Sequence, residues 1–250
     1  LFSTMRKIAL VTGGAKGIGA AIVRELANAG YDVVINYLTS KEKAEALVKE
    51  LSPLGVNVFS YQCDVSKEEE VDKMISFIES KLGTVDILIN NAAVDLSKLW
   101  NEKTSDDFRK TLDVNVVGAY NVARRVKKGM IDKKWGRIIN ISSTNGINSY
   151  YPVCLEYDAS KAALISLTHN LAIEFAPYAN VNAVAPGFIG TESELEGYDE
   201  EFLKSEQEKI LVGRYGKPEE VAHLVKFLVS DEAEYINNSV LRVDGGQYGA

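Results

Sequence analysis

Only two cysteines, Cys63 and Cys154, occur in 250 residues, with no CxxC pair and no histidine cluster beside them. That scarcity speaks against a disulfide framework and against a structural zinc site. Both cysteines read as reduced thiols, and no metal is expected. No apolar run approaches the roughly 18 residues of a membrane-spanning helix. The N-terminus also lacks the basic start and apolar stretch of a secretory signal. The expectation is a cytoplasmic protein with no membrane partner. Basic residues are the minority: the net charge is −7 and the pI near 5.1. Nucleic acid is therefore not an expected partner, and a small molecule is. There is no low-complexity segment, no linker and no short-period repeat, so nothing cuts the chain in two. Residues 5–250 are expected to form one domain, with 1–4, which precede Met5, set aside from the fold.

The remaining composition, 46% hydrophobic and 25% charged, is that of a globular chain long enough for one sizeable core. Short apolar runs near 6–12, 32–37, 56–63, 85–90, 136–142, 180–185 and 239–243 are rich in Val and Ile, as strands buried on both faces should be. Helical patterns fill the gaps. Strands and helices in alternation pair in parallel through right-handed crossovers. The expected architecture is α/β, a single-domain Rossmann-type doubly wound parallel sheet of about seven strands with helices on both faces. Such sheets bind ligands beyond the carboxyl ends of their strands.

Directly after the first strand comes Thr12-Gly13-Gly14-Ala15-Lys16-Gly17-Ile18-Gly19, opening a helix that runs to about Gly30. Glycines there let the backbone turn tightly and approach a pyrophosphate, and the helix N-terminus offers free N–H groups and the positive end of its dipole. Where an NAD enzyme would place an acid on the ribose 2′-hydroxyl, this chain has Asn36-Tyr37-Leu38-Thr39-Ser40-Lys41. No carboxylate stands there to repel a phosphate, and Lys16 or Lys41, with Ser40, could pair with one. Asp64 is open to two readings, an adenine contact with Val65 or the N-cap of the helix that follows. Tyr157 and Lys161 are four apart in a helical stretch from about Leu155 to Tyr178, so they share one face. An ammonium beside a phenol stabilises the phenolate and brings its pKa toward the working range of an acid–base catalyst.

The GxxxGxG spacing, Asn90-Asn91-Ala92, Asn115, Ser143, Tyr157 with Lys161, Pro186-Gly187 and Asp244-Gly245-Gly246 together resemble the short-chain dehydrogenase/reductase family from Met5 to Gly246. The resemblance implies an NADP(H)-dependent oxidoreductase interconverting a ketone and a secondary alcohol. It also implies that Gly13, Lys16, Gly17, Ile18, Gly19, Asn36, Tyr37, Ser40, Asp64, Val65, Asn91, Ala92, Pro186, Gly187, Ile189 and Thr191 bind the cofactor with Tyr157 and Lys161. Tyr157 would protonate the carbonyl oxygen, Ser143 would hydrogen-bond it, Lys161 would hold the nicotinamide ribose, and Asn115 would sit in a helix kink leading to Lys161. Ser142 competes with Ser143 for the serine role, because the spacing to Tyr157 is one residue longer than expected. The extra residue is expected to enlarge a substrate loop, 144–156. Ala93 replaces a glycine usual in the family. His169 reads as structural.

Within the family the sequence is most similar to bacterial 3-oxoacyl-(acyl-carrier-protein) reductases, which implies a 3-oxoacyl thioester and a place in fatty acid synthesis. The basic cluster Arg124-Arg125-Val126-Lys127-Lys128 with Lys133-Lys134 could attract an acidic carrier protein or be a solvated helix face. A basic docking residue usual in the reductases is missing from Ala176–Asn182. The lid expected at 188–212 is acidic through Glu192, Glu194, Glu196, Asp199, Glu200 and Glu201, which would repel an anionic carrier. Alternatives are a hydroxysteroid or other small carbonyl compound, which Tyr150, Tyr151, Pro152 and Val153 would suit, and a non-catalytic nucleotide-sensing module. A homotetramer is expected through the helices after Thr104 and Cys154, with Val116, Ala119, Val122, Ala123, Leu164, Leu167 and Leu171 shared between core and interface.

Overall fold

The computed structural model describes residues 6–248; Met5, residues 1–4 and the last two residues lie outside it. Seven strands form one parallel sheet: β1 (Ile8–Val11), β2 (Asp32–Tyr37), β3 (Val58–Gln62), β4 (Ile87–Asn90), β5 (Gly136–Ile141), β6 (Ala179–Pro186) and β7 (Val240–Val243). Their order is β3-β2-β1-β4-β5-β6-β7, so the direction of winding reverses between β1 and β4. Beyond the carboxyl ends of those two strands a crevice must open.

Why these runs are apolar without alternation follows from the packing. Ile35, Ile89 and Ile139 point into the core on one face, while Val34, Leu88 and Ile138 point into the core on the other. Neighbouring positions are thus both buried, each contributing about 1.5–3 kcal/mol. The first face is covered by α1 (Gly17–Asn28), α2 (Lys41–Leu51) and α9 (Pro218–Val229), the second by α3 (Glu68–Lys81), α5 (Gly118–Lys133) and α6 (Leu155–Phe175). A short α4 (Ser105–Leu112) precedes α5, and α7 (Glu192–Gly197) and α8 (Glu200–Glu208) lie between β6 and α9.

Two helix ends fall short of their expected positions. α1 stops at Asn28, followed by Gly30 at φ +89°, a left-handed turn that glycine adopts without a Cβ penalty. α6 stops at Phe175, because Pro177 offers no N–H to continue the ladder. Among the described residues no helix is long and apolar enough to cross a membrane.

Candidate active site

The glycine turn is built for close approach. Gly13 has φ +59°, and a Cβ there would lie 2.9 Å from the Cα of Ala92; one on Gly19 would lie 2.4 Å from the Gly13 carbonyl. Neither position tolerates a side chain. The turn is fastened from behind: Thr12 Oγ1 accepts from the N–H groups of Asn91 and Ala92 at 3.0 Å, and Asn91 Nδ2 donates to the carbonyls of Thr12 and Gly13 at 3.0 Å. α1 begins with no side chain capping it, leaving its first N–H groups free for an anion. This cradle fits a dinucleotide pyrophosphate.

At the end of β2 the structure redistributes the expected duties. Asn36 and Tyr37 turn inward, 2% and 8% exposed. Asn36 Oδ1 accepts from the Gly13 N–H at 3.2 Å and its Nδ2 donates to the Cys63 carbonyl at 2.9 Å. The Asn36 side chain therefore braces the turn instead of facing a ligand. Tyr37 joins the core. Lys16 is exposed, Lys41 pairs with Glu45 at 3.7 Å and Lys43 with Glu192 at 2.9 Å. Ser40 stands at the start of α2 with its hydroxyl unused as a cap. Asp64 does not cap α3, whose N-cap position is Lys67; its Oδ1 accepts from the N–H and Oγ of Ser66, closing a local turn. Val65 is buried, and its carbonyl accepts from Asn121 Nδ2 at 3.1 Å. Ala93 is exposed and lines the cleft that opens from the glycine turn.

On the other side of the crevice a cleft of about 1010 Å³ runs from Gly13 and Gly17 past Ser143, Tyr157 and Lys161 to Tyr198. The two serines after β5 part company here. Ser142 is buried, its Oγ donating to the Lys161 carbonyl at 2.9 Å; Ser143 lines the cleft together with Tyr157. Lys161 is 3% exposed, donates to the Ile141 carbonyl at 2.8 Å and stands 5.2 Å from the centroid of the Tyr157 ring. Burial pushes its ammonium down to about 8, against a smaller pull upward from Asp95.

Tyr157 does not show the lowered phenol expected from its lysine. Burial at the cleft floor, reinforced by the charges of Asp95 and Glu194, pushes it up, and the nearby Ser143 hydroxyl only partly opposes this. The Lys161 ammonium is committed to a backbone carbonyl, and burial of the phenol dominates.

Asn115 lies in a single π-helical turn, Asp113–Val117, between α4 and α5. Its Oδ1 accepts from the Val94 N–H at 2.8 Å and its Nδ2 donates to the Val94 carbonyl and Ser160 Oγ. Pro186, Gly187, Ile189 and Thr191 border the cleft. A Cβ on Gly17 would lie 3.5 Å from Thr191 Cγ2, and Thr191 Oγ1 caps α7 by accepting from Glu194 N–H at 3.3 Å. The lid thus rests on the glycine turn. His169 hydrogen-bonds Asn238 at 2.6 Å.

Sequence reading missed two residues that line the cleft, Asp95 and Asn145, and one bonded to the cleft wall, Asp158. Asp95 follows the Asn-Asn-Ala run; Asn145 lies two residues beyond Ser143, and Asp158 one beyond Tyr157. Asp95 Oδ2 accepts from Cys154 Sγ at 3.3 Å, and Asn145 Nδ2 donates to Asp158 Oδ1 at 2.7 Å. Their nearness to recognised motifs was the available signal; the pairing itself depends on the fold. The basic cluster proves largely neutralised: Arg124 pairs with Glu68, Arg125 with Asp72 and Glu79, Lys127 with Glu174, Lys128 with Asp132 and Lys133 with Asp86.

Comparison with known proteins agrees with this geometry. A family model described as enoyl-(acyl carrier protein) reductase matches residues 13–247. The 3-oxoacyl-[acyl-carrier-protein] reductase of Staphylococcus epidermidis is 39% identical, covering 98% of this chain and 100% of that protein. The acetoacetyl-CoA reductase of Rhizobium meliloti is 41% identical over 98% and 99% of the two chains. A gluconate 5-dehydrogenase from Burkholderia cenocepacia, solved with NADP and tartrate, superposes with a TM-score of 0.89 at 33% identity, covering 96% of this chain and 94% of that one.

Proposed function

This chain belongs to the short-chain dehydrogenase/reductase family, and from that membership we propose how its cleft reduces a ketone. It is an NADPH-dependent oxidoreductase that converts a ketone to a secondary alcohol or runs the reverse. The observation that carries the mechanism is the convergence of Ser143, Tyr157 and Lys161 on one cleft beside the glycine cradle. The nicotinamide of bound NADPH supplies the hydride. Gly13, Gly17, Ile18 and Gly19 hold the pyrophosphate, Lys16 and Ser40 the 2′-phosphate, and Asn91, Ala92, Val65 and Asp64 the adenosine side. Pro186, Gly187, Ile189 and Thr191 cover the nicotinamide. Ser143 hydrogen-bonds the ketone oxygen, and Tyr157 gives that oxygen its proton as the new C–H bond forms. Lys161 would hold the ribose and support the phenolate left behind, and Asn115 in its π-turn would bind a water leading to Lys161.

The substrate we propose is a 3-oxoacyl thioester, supported by full-length relatives named for thioester reduction. NADPH consumption on acetoacetyl thioesters, steroid ketones and small diketones, run side by side, is expected to be fastest with the thioesters. A second reading, a small ketone free of any carrier protein, is favoured by the ion pairs that occupy the basic cluster. Turnover confined to the small ketones would replace the first reading with the second. Action in the cytoplasm belongs to the same proposal, supported by two free buried cysteines.

A further inference from the structure

A chain of hydrogen bonds runs from the lid to Ser143 and passes through one carboxylate. Asp158 is 8% exposed. Its Oδ1 accepts from Asn145 Nδ2 at 2.7 Å and its Oδ2 from the Tyr151 N–H at 3.0 Å. Asn145 in turn holds Ser143 at both ends: its backbone N–H donates to Ser143 Oγ at 3.1 Å, and its Oδ1 accepts from Ser143 Oγ at 3.3 Å. From the other oxygen of Asp158 the chain continues outward. The Tyr151 hydroxyl donates to Glu206 Oε2 on α8 at 2.5 Å, and Lys209 Nζ donates to Glu206 Oε1 at 2.8 Å.

We propose that Asp158 is a positioning residue that fixes the direction of the Ser143 hydroxyl and ties it to the seating of the lid. A carboxylate can only accept hydrogen bonds, so the NH₂ end of the Asn145 amide must face Asp158 and its carbonyl end must face Ser143. The amide therefore offers Ser143 an acceptor at its side chain and a donor at its backbone. With one lone pair taken by the backbone N–H and the proton directed at Asn145 Oδ1, the Ser143 hydroxyl is fixed in direction. The long 3.3 Å bond is the weak link, and it is the one a ketone oxygen takes over when it arrives. Tyr151 extends the same control to the lid: α8 can leave only by breaking its bond to the Tyr151 hydroxyl, and Asp158 holds the backbone of that tyrosine.

The proposal rests on Ser143 being the hydroxyl beside the ketone oxygen, and the experiment separates the two. Asp158→Asn keeps the shape but replaces one acceptor with a donor, so it cannot serve Asn145 and Tyr151 together. On the ketone that the parent enzyme reduces fastest, Asp158→Asn is expected to lower kcat by about tenfold or more. Its NADPH dissociation constant, read by fluorescence titration, should stay unchanged. In a Ser143→Ala background the same substitution should change kcat by less than about twofold, because the group it acts through is gone. Asn145→Ala should behave in the same way and carries the comparison if Asp158→Asn impairs folding. Losses that multiply across the two backgrounds would show that Asp158 supports the fold generally and would overturn the coupling. A Ser143→Ala enzyme with parental kcat would instead remove Ser143 from the mechanism, and the coupling with it.

Discussion

Ser142 Oγ is spent on the Lys161 carbonyl while Ser143 faces the cleft, and the two should respond differently to the same substitution. Ser143→Ala is expected to lower kcat by roughly 10²-fold, as loss of one oxyanion donor does. Ser142→Ala should leave kcat nearly intact and lower stability by about 1 kcal/mol, the net worth of a buried hydrogen bond. Steady-state kinetics beside thermal melts would separate them, and the reverse order would move the catalytic serine to Ser142. Tyr157→Phe removes only the proton donor, so turnover should be lost while NADPH still binds. The direction of pH dependence comes from Lys161. Its folded pKa is depressed to about 8, so the ammonium is present below that value and is lost as pH rises through it. Ketone reduction, measured as kcat/KM against pH, is expected to be level on the acid side of 8 and to fall on the alkaline side. A profile still level well above that value would mean that neutral Lys161 suffices.

At the scale of elements, the turn between β1 and α1 is where sequence and geometry constrain one another most tightly. Gly19→Ala would press a methyl within 2.4 Å of the Gly13 carbonyl, so the turn must open and NADPH affinity should fall by more than tenfold in a binding titration. The exposed Lys16 lies beside that turn. A charge-assisted phosphate contact is worth roughly 1.5–3 kcal/mol. Lys16→Ala should therefore weaken NADPH at least about tenfold and leave NADH nearly unchanged; equal losses for both would remove the 2′-phosphate from its account. The lid is held less firmly, through Thr191 at the cap of α7, the Lys43–Glu192 pair and a stack of aromatic rings. Tyr198 and Phe202 lie 4.6 Å apart and Phe188 and Tyr215 4.8 Å apart.

For the whole molecule, assembly turns on which apolar residues the fold leaves outside. Of the positions expected to serve both core and interface, Ala119, Val122, Ala123, Leu164 and Leu171 are buried within the single chain, and Val116 and Leu167 are half-buried. The outward faces of the same helical stretches instead carry Val117, Tyr120 and Ile173, the last 74% exposed. We propose that these residues pair copies of the chain into a homotetramer. Light scattering at micromolar concentration should give four times the chain mass, and Ile173→Asp should reduce it. A monomeric parent would contradict the proposal.

The sequence by itself determined the order of strands and helices, because burial on both faces of a parallel sheet writes continuous apolar runs that need no knowledge of the neighbours. It also determined the glycine turn and the Tyr157–Lys161 pair, since backbone freedom and one helical turn are properties of adjacent residues. What tertiary structure alone decided is where side chains separated along the chain meet. Nothing in the spacing of Asn36 says that it braces Gly13 from behind. Nor does the run of basic residues in α5 reveal the carboxylates of α3, of α6 and of Asp86 just before β4 that neutralise much of it. The bond between Asn145 and Asp158 exists because β5 and α6 bring their ends together around Ser143. Periodicity records which face of its own element a residue occupies. The partner on the opposing face is fixed only when the elements pack.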